Sequence, residues 1–254
     1  MQPKMYPYIK RKVIKRQDTS SEEIEDSIAV EKILKVTING KDFITLYCTP
    51  LMVKELITGL FLTEGIFTEI PPEMSIVYGK EIMVDITAAG DFSTEDITTS
   101  RRVAGITFEK KRNLEKVKDD FSLGAKALWN VFEEFQERSE LFRLTGCFHI
   151  AALSDGKTIL AFAEDIGRHN AVDKVTGYSI LNDISFKKKL MLVSCRLSSE
   201  IISKCSRWGI PIVASRAAPT TLAIEIAETS GITLIGFVRG ERMNIYTNPQ
   251  RIYL

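Results

Sequence analysis

The chain has 254 residues, with 34 Lys and Arg against 33 Asp and Glu and a formal net charge of +1. This length supports one large domain or two small ones without disulfides or metals, and the charge balance excludes a generally basic surface for nucleic acid or anionic membranes. No apolar run is long enough to span a bilayer, the start lacks a signal peptide, and the four cysteines have no paired spacing. These features predict a cytoplasmic protein with reduced thiols.

The first part of the chain, residues 29–120, is expected to form a small α+β subdomain after a poorly ordered N-terminus at residues 1–28. Alternating apolar residues on both sides of Asn39-Gly40 predict a β-hairpin. Thr49, followed by a proline, is expected to cap a helix. The segment near residues 90–120 is polar with weak periodicity, so we expect a linker or mobile loop there.

The second part, residues 121–254, is expected to form an α/β domain. Apolar periodicity predicts a helix that Ser122 opens, followed by a strand hairpin that turns at Asp155-Gly156. Short apolar strands then alternate with helices, which implies right-handed crossovers and parallel pairing. The carboxyl ends of these strands are therefore expected to share one edge of the sheet.

Four of the predicted strands are each followed by an arginine: Arg168, Arg196, Arg216 and Arg239. We call the sheet edge that would carry them the arginine edge. Guanidinium groups brought together beside small residues and helix starts form a pocket suited to phosphate or pyrophosphate. Surface ion pairs are the alternative for any one of them, but four convergent arginines favour a ligand site. Asp165, in the first of these loops, is a candidate partner for a ribose hydroxyl or a base edge.

The only two histidines, His149 and His169, flank this predicted cleft. His169 is a candidate ligand donor or proton shuttle, with orientation of its loop as the alternative, whereas His149 is expected to be a hydrogen-bonded core residue. Cys147 and Cys195 are the candidate reactive thiols, because a cationic neighbour and a helix N-terminus lower a thiol pKa; a buried structural role is the alternative for each. No paired-cysteine spacing supports a zinc site, so no metal is expected.

Several sequence blocks, taken in order, resemble the FdhD family of formate dehydrogenase accessory proteins. They are Asn39-Gly40 through Thr49-Pro50 with the helix that Gly65 ends, Thr145 to His149, Glu164 to Lys174, Ser194 to Glu200, Ser215 to Thr220, and Gly236 to Tyr246. Blocks in this order are highly specific and cover most of the chain. The resemblance implies a three-layer α/β core similar to cytidine deaminases, with a mixed sheet, an extra N-terminal α+β part and a homodimer.

The resemblance also implies a role in sulfur transfer. FdhD-like proteins accept sulfur from a cysteine desulfurase and pass it to the molybdenum bis-guanine-dinucleotide cofactor of formate dehydrogenase, whose catalytic subunit is the second expected partner. The pyrophosphates of that cofactor match the arginine edge, and GDP is the corresponding probe ligand. The expected cofactor-binding residues are Asp165, Arg168, His169, Arg196, Ser215 and Arg216, together with the segment that contacts the cofactor in the family: Phe237, Val238, Arg239, Gly240, Glu241 and Arg242.

The chain departs from the family pattern at the sulfur-carrying cysteines. The family carries sulfur on a Cys-Gly-x-Cys-Gly loop, whereas residues 98–106 here contain no cysteine. Because a persulfide needs a thiol, the expected carrier is Cys195 or Cys147. The alternatives are a cofactor-binding chaperone without sulfur transfer, or a nucleotide-binding regulator outside molybdenum metabolism. The zinc signature of deaminases, His-x-Glu with Pro-Cys-x-x-Cys, is absent, which disfavours nucleotide deamination.

Overall fold

The computed structural model describes residues 5–71, 73–88, 99–102, 105–108 and 116–254. The chain begins with an antiparallel hairpin of β1 (Tyr8–Gln17) and β2 (Ser20–Ala29). Basic residues on β1 face acidic residues on β2, and Lys12 Nζ lies 2.7 Å from Glu23 Oε1. The expectation of a poorly ordered N-terminus therefore differs from the structure over this hairpin, because cross-strand pairs of opposite charge favour strand pairing in a segment with few buried side chains.

A four-stranded sheet and one helix form the next unit. Its elements are β3 (Lys32–Ile38), β4 (Lys41–Cys48), α1 (Val53–Glu64), β5 (Glu73–Tyr78) and β6 (Ile82–Thr87), with strand order β4-β3-β6-β5. Apolar residues alternate along the strands, so one face of the sheet packs against α1 through residues such as Leu34, Val84 and Phe61. The predicted hairpin at Asn39-Gly40 is present, with positive φ at both positions.

The segment near residues 90–120 is described only in part. β7 (Thr99–Arg102) and β8 (Gly105–Phe108) pair as a two-stranded antiparallel ribbon. The description then resumes at residue 116, where Val117 N donates a hydrogen bond of 2.8 Å to Ser230 O. The rest of the predicted mobile loop, including residues 89–98 and 109–115, lies outside the described residues.

The remaining chain forms a six-stranded mixed sheet with helices on both faces. The elements of this part of the chain are β9 (Leu123–Gly124), α2 (Ala125–Glu137), α3 (Glu140–Thr145), β10 (His149–Ser154), β11 (Ile159–Asp165), α4 (Arg168–Leu181), β12 (Leu190–Val193), α5 (Ser199–Arg207), β13 (Ile212–Ser215), α6 (Thr221–Ser230), β14 (Thr233–Arg239), β15 (Arg242–Ile245) and, after a 3-10 turn at Pro249–Arg251, β16 (Ile252–Tyr253). The strand order of the six-stranded sheet is β11-β10-β12-β13-β14-β15; β12, β13 and β14 pair in parallel and the other neighbours pair antiparallel. None of the described helices is long and apolar enough to cross a membrane.

Two hydrophobic clusters lie between this sheet and its helices, one on each face of the sheet. Along β12, Met191 and Val193 join the cluster that contains residues of α4, α5 and α6. Leu190 and Leu192 join the cluster that contains α2 residues, including Phe132. Successive residues of a strand point to opposite faces, so a run of four apolar residues fits a sheet that is covered on both sides. The predicted three-layer α/β core with a mixed sheet is confirmed.

Helix α1 packs directly against α4 and joins the two units. The closest approach is between Gly59 and Gly177, where an added Cβ on Gly177 would lie 1.9 Å from the Glu55 carbonyl oxygen. A buried charge network supports the same contact: Lys204 Nζ of α5 lies 2.6 Å from Asp173 Oδ1 and 3.0 Å from Glu64 Oε1. Close backbone contact at glycines and paired buried charges together fix α4 between α1 and the sheet.

Candidate functional site

Four strand ends meet at one edge of the six-stranded sheet. β12, β13 and β14 are parallel. β11 points in the same direction, because β10 pairs antiparallel with both β11 and β12. The start of β10 lies at the same edge, where His149 is opposite Asp165. The backbone therefore brings the loops after β11, β12, β13 and β14 together at one edge of the sheet, which is the arrangement predicted for the arginine edge.

Within the part of the chain that the structure describes, the guanidinium groups at this edge have no carboxylate partner. Arg196, Arg216 and Arg239 are exposed, and Arg168 is half-buried at the first residue of α4. Among the residues that the structure describes, none of the four forms an ion pair, and the buried Nε of Arg168 has no hydrogen-bond partner. Guanidinium groups that are not occupied by carboxylates can donate to phosphate oxygens. This donor set fits the pyrophosphate groups of a nucleotide cofactor.

The β14–β15 hairpin forms the last part of the edge. Arg239 and Arg242 pair across its turn, and Gly240, at the tip, has a φ of 52°. Phe237 also has a positive φ, of 54°, at a register shift between Gly236 and Arg239. An added Cβ at Gly236 would lie 2.9 Å from the Ala217 carbonyl oxygen, so the strand requires glycine there to contact the loop after β13. Arg239 through Arg242 are exposed.

A pocket of about 360 Å³ opens next to the arginine edge, between the strand ends and the α2–α3 connection. It combines an exposed thiol, an imidazole and a guanidinium, which come from Cys147, His149 and Arg216. Apolar and polar side chains from both sides complete the wall. The lining residues are Gln136, Ser139, Phe142, Gly146, Cys147, Phe148, His149, Ile150, Ser194 and Arg216.

Cys147 is the accessible thiol of this site. It is the only exposed cysteine of the four, all of which are described. It follows Gly146, which ends α3 with a φ of 69°, and its backbone N–H donates to Thr145 Oγ1 at 3.2 Å. The helix end therefore fixes the position of the Cys147 backbone, and the residue is exposed where it lines the pocket.

Cys195 has the opposite environment. Its side chain is 4% exposed within the core cluster between the sheet and α4–α6. Burial raises the pKa of Cys195 to about 11, although Arg168 and Arg196 favour the thiolate. The two guanidinium groups act on this pKa in the expected direction, but desolvation outweighs their attraction, so the neutral thiol of Cys195 is favoured. Burial likewise raises the pKa of Cys48 to about 12.

Glu164 holds α3 in place below the pocket. Its carboxylate accepts a hydrogen bond of 2.7 Å from Ser139 Oγ. It also accepts weaker bonds of 3.4 Å from the backbone N–H groups of Leu141 and Phe142. A carboxylate at a helix N-terminus satisfies free N–H donors and interacts favourably with the helix dipole. This contact ties α3, and with it the Cys147 region, to the end of β11.

The two histidines are uncharged at neutral pH. Burial, Lys204 and Arg168 lower the pKa of His169 to about 4, and its Nε2 lies 3.8 Å from Glu200 Oε2. Burial and Arg168 also lower the pKa of His149. A proton shuttle near pH 7 needs a pKa close to that value, so the shuttle prediction for His169 does not fit its environment. As a neutral ring His169 can still exchange hydrogen bonds with a ligand.

Three residues that were predicted to bind the cofactor have buried side chains: Asp165, Ser215 and Val238. The Asp165 carboxylate is fully buried; it accepts from the backbone N–H groups of Thr49 and Gly167 and from Asn170 Nδ2, and it lies 2.5 Å from Lys174 Nζ. All of its oxygens are therefore engaged, which leaves none for a ribose or base. Ser215 Oγ is also buried and donates to Cys195 O at 2.6 Å. Val238 is 1% exposed within the cluster that faces α2.

Sequence reasoning missed the α2–α3 wall of the pocket. Gln136, Ser139 and Phe142 line it, and they lie on and between two helices, whereas the predicted site residues follow strand ends. Ser194 was part of a recognised loop, yet its role is structural, since its Oγ accepts from Ile150 N at 3.0 Å. The exposure of Phe142, close before Cys147, marks this wall in the structure, but exposure is not visible in the sequence.

Comparison with known proteins gives consistent matches along almost the whole chain. Residues 29–253 match the sequence model of the FdhD/NarQ family. A sulfur carrier protein FdhD from Bacillus pumilus is 38% identical over 245 residues, covering 89% of this chain and 90% of the relative. One from Bacillus subtilis is 37% identical over 247 residues, covering 90% and 91%. A crystal structure described as a formate dehydrogenase accessory protein from Desulfotalea psychrophila superposes with a TM-score of 0.79 at 25% identity, covering 98% of this chain and 100% of that one.

Proposed function

The chain belongs to the FdhD/NarQ family, and on that premise we propose that it is a sulfur carrier in the maturation of formate dehydrogenase. It accepts sulfur from a cysteine desulfurase and passes it to the molybdenum bis-guanine-dinucleotide cofactor. Relatives named sulfur carrier protein FdhD and a neighbour described as a formate dehydrogenase accessory protein support this role.

The observation that carries the proposal is the exposed Cys147 thiol in a pocket that shares Arg216 with the arginine edge. In the loading step the Cys147 thiolate attacks the outer sulfur of a persulfide on the desulfurase. The S–S bond of the donor breaks, a new S–S bond forms on Cys147, and the electron pair leaves with the donor thiolate, so there is no net oxidation. Arg216 lines the same pocket as Cys147, so its guanidinium is available to an anionic group that approaches the thiol.

The arginine edge would hold the cofactor by its phosphates. Arg168, Arg196, Arg216 and Arg239 supply donors without carboxylate partners among the described residues, and Arg242 lies across the turn from Arg239. Because Arg216 also lines the pocket that contains Cys147, a pyrophosphate bound by Arg216 would be held close to the sulfur that Cys147 carries. When bound, the cofactor supplies the molybdenum that receives the sulfur.

Partner proteins would reach the thiol from the side of α3. Phe142 and Leu144 are 45% and 46% exposed close before Cys147, and exposed apolar residues of this size next to a reactive group favour protein contact. The proposal includes a cysteine desulfurase, the formate dehydrogenase catalytic subunit and a second copy of this chain as partners, in the cytoplasm.

The alternative is a cofactor-binding chaperone without sulfur transfer. It is favoured by the sequence of residues 98–106, which has no cysteine, and by the burial of Cys48, Cys195 and Cys205. Both functions require GDP binding at the arginine edge, but only the carrier takes up sulfur when it is incubated with a cysteine desulfurase and cysteine. GDP binding without a sulfur adduct would support the chaperone.

Calorimetric titration with GDP tests the shared part of the proposal. Arg239→Ala is expected to weaken binding by about 1.5–3 kcal/mol, the contribution of a charge-assisted hydrogen bond. Arg138→Ala is the matched control, because Arg138 is an exposed arginine already paired with Glu134 at 2.6 Å. Absence of GDP binding, or equal affinities for wild type and Arg239→Ala, would contradict the proposed cofactor site.

A further inference from the structure

A second pocket, of about 530 Å³, lies at the opposite edge of the six-stranded sheet. It is found where β12 and β13 begin, whereas the arginine edge is where they end. Strands of four residues separate these edges by about 13 Å. The lining residues are Lys116, Val117, Lys118, Asp119, Lys187, Ser206, Arg207, Trp208 and Gly209.

The second pocket is strongly cationic. Three lysines and Arg207 line it against a single acid, Asp119, which gives a formal charge of +3 where the whole chain carries +1. The Asp119 carboxylate is already occupied: Oδ1 accepts from Phe121 N and Oδ2 accepts from Lys188 N, both at 2.8 Å. Within the described ranges, Lys118 and Lys187 form no ion pair. Among the described residues, the positive charge is therefore concentrated, and no ion pair neutralises Lys118 or Lys187.

A buried hydroxyl without a partner lies in the same wall. Ser206 is 6% exposed, and its Oγ has no hydrogen bond to any described residue. A buried hydroxyl in this state is unfavourable unless another group bonds to it. In a cationic pocket, the group that suits a hydroxyl donor is an anionic oxygen.

Aromatic packing and hydrogen bonds within the protein hold the walls of the second pocket in place without a ligand. Trp208 packs against Phe186 in a tilted arrangement with ring centroids 5.0 Å apart, and its Nε1 donates to Thr63 Oγ1 at 3.2 Å. The opposite wall is fastened by Val117 N, which donates to Ser230 O at 2.8 Å. Binding therefore requires little ordering of the backbone or of the indole ring.

We propose that this second pocket binds a small, multiply charged anion of the phosphate class, independently of the arginine edge. Lysine ammonium groups act as point charges toward phosphate, and the Ser206 hydroxyl supplies a directional bond. The near-neutral charge of the chain as a whole argues against a long polyanion that needs an extended basic surface. The concave shape fits a compact ligand of nucleotide size or smaller.

Trp208 provides a direct readout of this pocket. The chain has two tryptophans, so Trp129→Phe leaves Trp208 as the sole indole. Titration of this variant with inorganic tripolyphosphate is expected to change the Trp208 fluorescence saturably, with weaker binding at high salt because the contact is electrostatic. In the same background, Lys118→Glu with Lys187→Glu is expected to weaken binding at least tenfold, roughly the loss of one charge-assisted contact.

Two controls separate this site from the rest of the surface. Lys126→Glu reverses an exposed charge on α2 and should leave the titration unchanged. Arg239→Ala, which weakens the arginine edge, should also leave it unchanged. The proposal is overturned if no saturable change occurs, if the Lys118→Glu/Lys187→Glu variant binds as tightly as its parent, or if Arg239→Ala abolishes the signal.

Discussion

Gly177→Ala tests the backbone contact on which α1 and α4 pack. In an ordinary helix interior, Ala is more stable than Gly by about 1 kcal/mol, so the substitution should be favourable. At Gly177, however, the new Cβ would lie 1.9 Å from Glu55 O and 2.8 Å from Gly59 N. Both atoms belong to the backbone and cannot rotate away. The helices must therefore separate by about 1 Å to bring the nearest contact to 3.0 Å.

Contacts on both sides of α4 oppose this separation of α1 from α4. The sheet-facing side of α4 packs through Ala171 and Val175 in the core, so α1 is the element that must move. Its movement also lengthens the 3.0 Å contact between Glu64 and Lys204. Overpacking of this kind costs about 1–3 kcal/mol, and the upper end applies to a backbone clash. After subtraction of the helix-propensity gain, the expected net loss is about 2 kcal/mol, or roughly 4–8 °C in Tm.

Urea unfolding of the purified variants measures this loss. Gly79→Ala is the control, since its added Cβ would lie 3.4 Å from Glu81 O, an ordinary contact distance. It should change the free energy of unfolding by less than about 0.5 kcal/mol. If Gly177→Ala were neutral or stabilising, the two helices would not be in backbone contact, and the proposed attachment of the N-terminal sheet to α4 would be incorrect.

Three further predictions concern charges and thiols. Lys204→Met should lower the free energy of unfolding in urea by about 3–5 kcal/mol, because the buried carboxylates of Glu64 and Asp173 lose their cation. The control Lys126→Met, on the surface, should have almost no effect. The pKa of His169 in the folded protein, about 4, is below the ordinary value of 6.5. As the pH falls, the unfolded chain therefore takes up this proton before the folded protein does. The free energy of unfolding should decrease between pH 6.5 and pH 4, by at most about 3 kcal/mol. His169→Gln should flatten that pH profile, and an unchanged slope would contradict the assignment. In native protein at pH 8, a thiol reagent should modify one cysteine rapidly, and Cys147→Ser should remove the fast phase; a fast phase that survived would mean that another thiol is accessible.

Elements with strong local signals were predictable from the sequence. The hairpins that the sequence predicts at Asn39-Gly40 and at Asp155-Gly156 are both present in the structure. The alternation of half-buried and exposed residues in Glu73–Tyr78 is a similar signal, but it was not recognised as a strand. Convergence of the arginine-bearing loops also followed from the sequence, because parallel strands alternating with helices place their carboxyl ends at one edge.

Long-range partners could not be predicted in this way. Thr49 followed by proline is typical of a helix start, yet α1 begins at Val53 and Thr49 Oγ1 accepts from Ile166 N at 3.2 Å. Asp165 has the sequence context of a ligand residue, but its partners include Thr49, which is distant in the chain. For Cys195, the adjacent arginine is visible in the sequence, whereas the burial that raises its pKa is not.

The central claim is that Cys147 carries sulfur beside the arginine edge. The most direct test is the intact mass of the protein after incubation with a cysteine desulfurase and cysteine, with Cys147→Ser and Cys195→Ser treated in parallel. The account predicts an adduct of one sulfur atom, removable by reductant, on the wild type and on Cys195→Ser but not on Cys147→Ser. An adduct that persists in Cys147→Ser, or no adduct on a wild-type preparation that still binds GDP, would contradict it.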